Sequence, residues 1–127
     1  MTAAPLLLDS NIVVWLDQKP KRIAASVVDR IERTPLVYLS AVTAWELSIK
    51  QSLGGLTLAR PVSGFINSHK MTELPVTTRH GEAVRNLPLH HRDPFDRLLV
   101  AQALVEGLIL VTGDRLLLQY GIPLLLV

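Results

Sequence analysis

Short apolar runs alternate with segments of helical periodicity along the chain, and this alternation constrains the fold most. The sequence predicts strands at residues 6–8, 36–39, 108–112 and 122–126. A weaker candidate covers residues 74–76, where Pro75 would place the strand at a sheet edge. Strands that alternate with helices favour a parallel sheet covered on both faces. We therefore predict an α/β chain with three layers and a central, mostly parallel sheet.

Caps and chain breakers delimit the helical segments between these runs. Ile23, Val27 and Ile31 recur at four-residue spacing, which predicts an amphipathic helix over residues 22–33. The remaining predicted helices are 12–16 capped by Ser10, one from Ser40 to Gly54-Gly55, 62–69, 80–86, one from Asp93 to Gly107, and a turn at Asp114. We expect a core stripe on the helix after Ser40, formed by Val42, Trp45, Ile49 and Leu53.

Length and composition exclude several classes of protein. The 127 residues predict one domain over 1–127, and a hydrophobic fraction of 49% is incompatible with disorder. The absence of cysteine excludes disulfides and thiolate metal sites and favours the cytoplasm. Residues 1–8 lack the basic start of a signal peptide, and no apolar stretch is long enough to span a membrane. The net charge of +2 does not by itself indicate a nucleic-acid-binding protein.

Four acidic residues lie at the ends of predicted strands or in the early turns of predicted helices, where α/β proteins commonly bind ligands. Asp9 directly follows the first predicted strand, and Asp114 lies two residues beyond the strand that ends at Thr112. Ligands of open parallel sheets bind outside the carboxyl ends of the strands. Asp96 and Glu46 lie in the early turns of their helices, so four carboxylates converge if those helices start at the same edge. Such a cluster suits Mg²⁺ or Mn²⁺, which prefer oxygen ligands.

Each acid also has an ordinary structural interpretation. Glu46 could form an i,i+4 ion pair with Lys50, and the spacing alone favours this pair. Asp93 in its Asp-Pro step is typical of a helix cap, and Asp96 at N3 could serve the helix dipole. Asp9 and Asp114 could be turn residues. His90 and His91 are most simply residues of a solvated loop.

Four segments in order resemble the PIN domain, specifically the VapC-type ribonuclease toxins of type II toxin–antitoxin systems. These segments are LLLDSN at 6–11, LSAVTAWEL at 39–47, HRDPFDRLLVAQA at 91–103 and LVTGD at 110–114. The third is the most specific, and together they extend over essentially the whole chain. The resemblance implies an α/β/α sandwich and a metal-dependent endoribonuclease.

The resemblance assigns roles to particular residues. It implies that Asp9, Glu46, Asp96 and Asp114 hold Mg²⁺ or Mn²⁺, which activates a water that attacks an RNA phosphodiester. Ser10, Thr112 and Asp93 are supporting candidates. Gly113 replaces a basic residue often found at this position.

The expected partners are RNA, a cognate antitoxin that covers the active site, and a second copy of the chain within a larger toxin–antitoxin assembly. Arg92, Arg97, Arg115 and Lys50 flank the acids and are candidate phosphate contacts. We expect Trp15 and Trp45 to lie in the core, so that no aromatic platform for base stacking is apparent.

Three other interpretations remain open. A PIN-like binding module without activity would not need all four acids. A receiver-type phosphoryl-transfer domain with Asp9 as acceptor would need a lysine after a late strand, and no lysine follows Lys70. A metal-free structural protein is the third.

Overall fold

The computed structural model describes residues 4–90 and 92–127, so the start of the amino-terminal segment and His91 lie outside the described residues. Five strands form one sheet in the order β3-β2-β1-β4-β5, and every pairing is parallel. The strands are β1 Leu6–Leu8, β2 Val37–Ser40, β3 Thr72–Leu74, β4 Ile109–Thr112 and β5 Leu124–Leu126. This confirms the prediction of a parallel sheet whose strands alternate with helices along the chain. The strand before Pro75 lies at an edge, as predicted, but it starts and ends two residues earlier.

Six α-helices within the described residues cover the sheet. They are α1 Ser10–Gln18, α2 Ala25–Arg33, α3 Ala41–Ser52, α4 Val62–Ser68, α5 Thr78–Val84 and α6 Pro94–Glu106. Two 3₁₀ helices, Pro20–Arg22 and Arg115–Tyr120, complete the order. The helix predicted over 22–33 is therefore shorter, because Ile23 and Ala24 adopt extended backbone angles between the first 3₁₀ helix and α2. None of the described helices is both long and apolar enough to cross a bilayer.

Successive side chains of the central strand β1 pack into two separate apolar layers, one on each face of the sheet. Leu6 and Leu8 pack with α1, α2 and α4 on one face, whereas Leu7 packs with α6 on the other. This follows from the two-residue period of a strand, which sends successive side chains to opposite faces. Since both faces are covered, β1 is buried throughout. The three-layer α/β/α prediction is confirmed.

A buried polar network ties α6 to the end of β2. Gln102 is fully buried, and its Oε1 accepts a 2.6 Å hydrogen bond from Ser40 Oγ. Its Nε2 lies 3.3 Å from both the Pro75 carbonyl oxygen and His80 Nδ1. Ser40 Oγ also accepts from the Val42 amide and so caps α3, as predicted. The network thus fixes α3 and α6 relative to each other at the carboxyl edge of the sheet.

Candidate active site

The carboxyl ends of β1 and β4 meet at the point where the strand order reverses. From β1 the chain proceeds to β2 and β3 on one side, and β4 and β5 lie on the other. A crevice outside such a switch point is the usual ligand position in an open parallel sheet. Asp9 follows β1 and Asp114 lies just beyond β4, so the chain places both at the carboxyl edge of the sheet, at this switch point.

Asp9 is held rigidly by three hydrogen bonds. Its amide donates to the Val111 carbonyl at 2.9 Å. Its Oδ1 accepts from the Ser10 amide at 2.7 Å, and its Oδ2 accepts from Thr112 Oγ1 at 2.6 Å. Asp9 is therefore the N-cap of α1, and the expectation that Ser10 caps this helix was wrong. Because α1 already begins at Ser10, it is also longer than the predicted 12–16.

The pKa of Asp9 is raised above its ordinary value. Burial is the largest cause, since Asp9 is only 3% exposed and burial disfavours the ionised form. The negative charges of Glu46 and Asp114 raise the pKa further, whereas the hydrogen bonds from Thr112 and Ser10 lower it. Glu46 and Asp114 therefore both lie near enough to Asp9 to act on its carboxylate.

Glu46 projects from the second turn of α3 and is buried. Its Oε1 accepts from Ser10 Oγ at 2.6 Å, and its Oε2 pairs with Lys50 Nζ at 3.0 Å. The i,i+4 ion pair favoured by spacing is thus formed, yet Glu46 also reaches the start of α1. Ser10 supports Glu46 directly and Asp9 through its amide, which links the first two acids.

The start of α6 brings Asp93 and Asp96 to the same edge. Helix α6 leads into β4, a strand parallel to β1, so it runs back along the sheet and begins where the strands end. Asp93 Oδ1 accepts from the Phe95 and Asp96 amides at 2.8 and 3.3 Å, which confirms it as the N-cap. Asp96 lies in the first turn, half-buried.

Asp114 is tied to the rest of the crevice through Thr112. The amide of Asp114 donates to Thr112 Oγ1 at 3.0 Å, and that hydroxyl in turn donates to Asp9. The Asp114 carboxylate accepts from the Leu116 amide and caps the 3₁₀ helix, as the predicted turn requires. Thr112 therefore orients two acids at once.

The four candidate phosphate contacts differ in their surroundings. Arg92 and Arg115 are exposed, and the side chain of Lys50 is half exposed although it is paired with Glu46. Arg97 instead donates to the carbonyl oxygens of Val84, Leu87 and Pro88 and to the Tyr120 hydroxyl. Its guanidinium ties α6 to the segment after α5, a structural use that leaves few donors for a phosphate.

The two tryptophans near the carboxyl edge of the sheet differ in their exposure to solvent. Trp15 is half-buried, and a Cβ at Gly113 would lie 2.9 Å from Trp15 Cη2, so the indole occupies the space of any side chain there. Trp45 is 60% exposed, so the prediction that it lies in the core was wrong. Leu53 was also misplaced: α3 ends at Ser52, so Leu53 is its C-cap and is 81% exposed. Residues 45 and 46 are about 100° apart on a helix, so turning Glu46 inward turns Trp45 outward.

A hard divalent cation fits the chemistry of these donors, although the carboxylates do not form a closed cage. Within residues 4–90 and 92–127, no three acidic or histidine side chains stand close enough together to enclose a metal ion. Burial and, to a smaller extent, the charges of Glu46 and Asp114 raise the pKa of Asp9, and a bound cation would stabilise the ionised carboxylate against both effects. Mg²⁺ commonly uses only one or two carboxylates and keeps several waters.

The fold and the carboxylate edge place the chain in a known class. The PIN domain family profile matches residues 6–122, and the chain belongs to this family. It is 28% identical over 121 residues to Ribonuclease VapC22 of Mycobacterium tuberculosis, covering 93% of both chains.

Solved structures share the fold at low sequence identity. A chain of VapBC2 from Rickettsia felis, bound to a promoter DNA fragment, matches with a TM-score of 0.73 and 13% identity, covering 95% of this chain and 97% of that one. A chain of DNA-bound VapBC from Salmonella typhimurium matches with a TM-score of 0.72 and 17% identity, covering 97% and 98%.

Proposed function

We propose that this PIN domain is a metal-dependent endoribonuclease and the toxin of a toxin–antitoxin pair. The observation that carries the proposal is the buried Asp9 carboxylate, which hydrogen bonds link through Ser10 to Glu46 and through Thr112 to Asp114. Carboxylates that are close together and buried favour the binding of a cation. A bound cation can in turn interact with the oxygens of a phosphodiester. The relative named Ribonuclease VapC22 supports RNA as the substrate.

The site residues have two kinds of role, holding the metal ion and positioning the side chains that hold it. Asp9, Glu46, Asp96 and Asp114 would hold Mg²⁺ or Mn²⁺, directly or through water. A bound divalent ion supplies Lewis acidity and makes water a nucleophile near neutral pH. Thr112 and Ser10 keep the Asp9 and Glu46 carboxylates oriented. Asp93 holds the first turn of α6, which carries Asp96.

Phosphate contacts are assigned to the basic side chains at the edge. Arg92, Arg115 and Lys50 provide affinity for the RNA backbone, because phosphate contacts position a strand without reading its sequence. Arg97 is the weakest of the four candidates, since its donors are used within the fold.

Cleavage assays with two acidic variants test the proposal. Asp9→Asn and Asp96→Asn should lose RNA cleavage, and EDTA should abolish cleavage by the unmodified chain. Asp29→Asn is the matched control, because Asp29 is an exposed acid on α2 that forms an i,i+4 ion pair with Arg33 at the surface. Undiminished cleavage by either site variant would refute the assignment. Mn²⁺ titration by calorimetry separates an inactive PIN-like module, which would bind no Mn²⁺ through these carboxylates.

The proposal extends to protein partners and to the compartment. VapBC and FitAB complexes are among the structural neighbours, and on this basis we infer a cognate antitoxin. From the family resemblance we propose in addition that the antitoxin covers the carboxylates and that the toxin forms a homodimer. We further propose that the chain acts in the cytoplasm, as the absence of cysteine and an RNA substrate would suit. Co-expression with the product of the adjacent reading frame should yield a complex in which cleavage is inhibited. Independent migration of the two chains would count against the antitoxin assignment.

A further inference from the structure

Trp45 is a large aromatic side chain that the fold leaves open to solvent. It is 60% exposed although α3 packs against the sheet and against α6. Its ring is nevertheless seated, because its centroid lies 4.9 Å from that of Phe95 with the planes at 73°. This edge-to-face contact fixes the indole while most of its surface remains accessible.

Each residue of this aromatic pair directly precedes one of the candidate acids in the sequence. Trp45 directly precedes Glu46 in α3, and Phe95 directly precedes Asp96 in α6. The ring contact therefore joins the two helices that deliver these acids, at the carboxyl edge of the sheet. The exposed indole and the two acids are therefore carried by the same two helices.

We propose that Trp45 is a stacking platform for an unpaired base of the RNA strand, next to the phosphodiester at the carboxylates. This inference rests on the proposed nuclease function and adds a subsite to it. Aromatic side chains bind single strands by stacking on bases, which are accessible only when they are unpaired. The platform therefore selects single-stranded RNA over duplex RNA without selecting a sequence.

Charge around the platform favours a nucleic acid over a protein as the occupant. Lys50 lies one turn beyond Glu46 with half of its side chain exposed, and Arg92 is exposed before the start of α6. Lys50 lies five residues after Trp45 on α3, and Arg92 lies three residues before Phe95. Single-strand sites commonly combine cations that follow the backbone with a ring that takes a base.

Binding is tested in a chain that does not cleave and that has Trp45 as its only tryptophan, namely Asp9→Asn with Trp15→Phe. The probe is single-stranded oligoadenylate of about 12 nucleotides, within the usual site size. Titration should quench the Trp45 fluorescence. Adding Trp45→Ala should weaken affinity, measured by anisotropy of a labelled probe, by roughly 5- to 150-fold. Trp45→Phe, which keeps a ring, should restore most of it, and an oligoadenylate–oligouridylate duplex should bind without the quenching.

Leu104→Ala is the matched control, because Leu104 is a 50% exposed apolar residue near the far end of α6. It should leave affinity unchanged. Unchanged affinity in the Trp45→Ala variant, with the acid variants still inactive in cleavage, overturns the platform and leaves the nuclease proposal standing. Loss of self-association in Trp45→Ala at constant affinity per chain overturns it in favour of a second copy as occupant. Failure of the chain with Trp45 intact to bind any RNA overturns the platform together with the nuclease proposal.

Discussion

The hydroxyl of Thr112 donates a 2.6 Å hydrogen bond to Oδ2 of Asp9, across 103 positions of the sequence. The same hydroxyl accepts from the Asp114 amide at 3.0 Å. Because β1 and β4 are adjacent and parallel, their carboxyl ends bring these residues together. One threonine thus orients the acids that follow two strands.

Replacing Thr112 with valine should move the acidic limb of the pH–rate profile for cleavage to higher pH. The hydrogen bond from Thr112 lowers the pKa of Asp9, so its loss raises that pKa further and Asp9 ionises at a higher pH. A hydrogen bond to a charged group contributes about 1.5–3 kcal/mol. We therefore expect the acidic limb of the kcat/KM profile to move to higher pH. Thr112→Ser, which keeps the hydroxyl, should retain the original limb, and a coincident profile for Thr112→Val would contradict this role.

Replacing Asp9 with asparagine should stabilise the metal-free protein while it abolishes cleavage. The folded-state pKa of Asp9 lies above its ordinary value, so near neutral pH the ionised, buried carboxylate lowers the free energy of unfolding. Removing that charge should raise the Tm of the metal-free protein at pH 7.

The pH dependence of this gain has a definite sign. As pH falls through the folded-state pKa of Asp9, the native carboxyl binds a proton and the cost in the unmodified chain disappears. The difference in Tm between Asp9→Asn and the unmodified chain, measured in EDTA, should therefore be largest near neutral pH and shrink on acidification. A difference that grows at low pH would have the wrong sign.

Replacing Lys50 with methionine should affect metal and RNA in opposite directions. The ammonium of Lys50 is paired with Glu46 Oε2 and opposes a cation at that oxygen. Partly exposed ion pairs contribute about 0.2–1 kcal/mol, so Mn²⁺ affinity by calorimetry should rise roughly 1.4- to 5-fold. Affinity for RNA should fall, because a phosphate contact is lost. Lys70→Met, at an exposed lysine before β3, is the control, and weaker Mn²⁺ binding in Lys50→Met would exclude the competition.

Replacing Gln102 with leucine should destabilise the fold strongly despite the similar side-chain size. Every buried side-chain nitrogen and oxygen in the described part of the chain has a hydrogen-bond partner, and Gln102 serves Ser40, Pro75 and His80. Each buried group left without its partner costs about 1–3 kcal/mol. Urea unfolding should show a lower midpoint at an unchanged slope, whereas Gln119→Leu at an exposed position should leave the free energy of unfolding within about 0.5 kcal/mol of the unmodified chain.

Local pattern was sufficient for the elements whose signals are local. The Asp93-Pro94 step and Gly107 bound α6 as predicted, because capping and a left-handed C-cap depend on neighbouring residues alone. Strand β3 does lie at an edge, but Pro75, on which that prediction rested, lies just beyond the strand. Trp45 was misplaced because a hydrophobic residue at helical spacing shows only that a stripe exists. Which side of that stripe faces the sheet depends on Glu46 being drawn inward to Ser10.

The sequence by itself determined the α/β class, the parallel sheet and the acids expected at its carboxyl edge, since strand period, helix caps and residue chemistry are written along the chain. Only the tertiary structure decided which groups meet. The pairing of Thr112 with Asp9, of Ser10 with Glu46 and of Ser40 with Gln102 joins residues 103, 36 and 62 positions apart. Hydrogen bonds at such separations depend on strand register and helix docking, which bring distant residues within reach only after the sheet has formed.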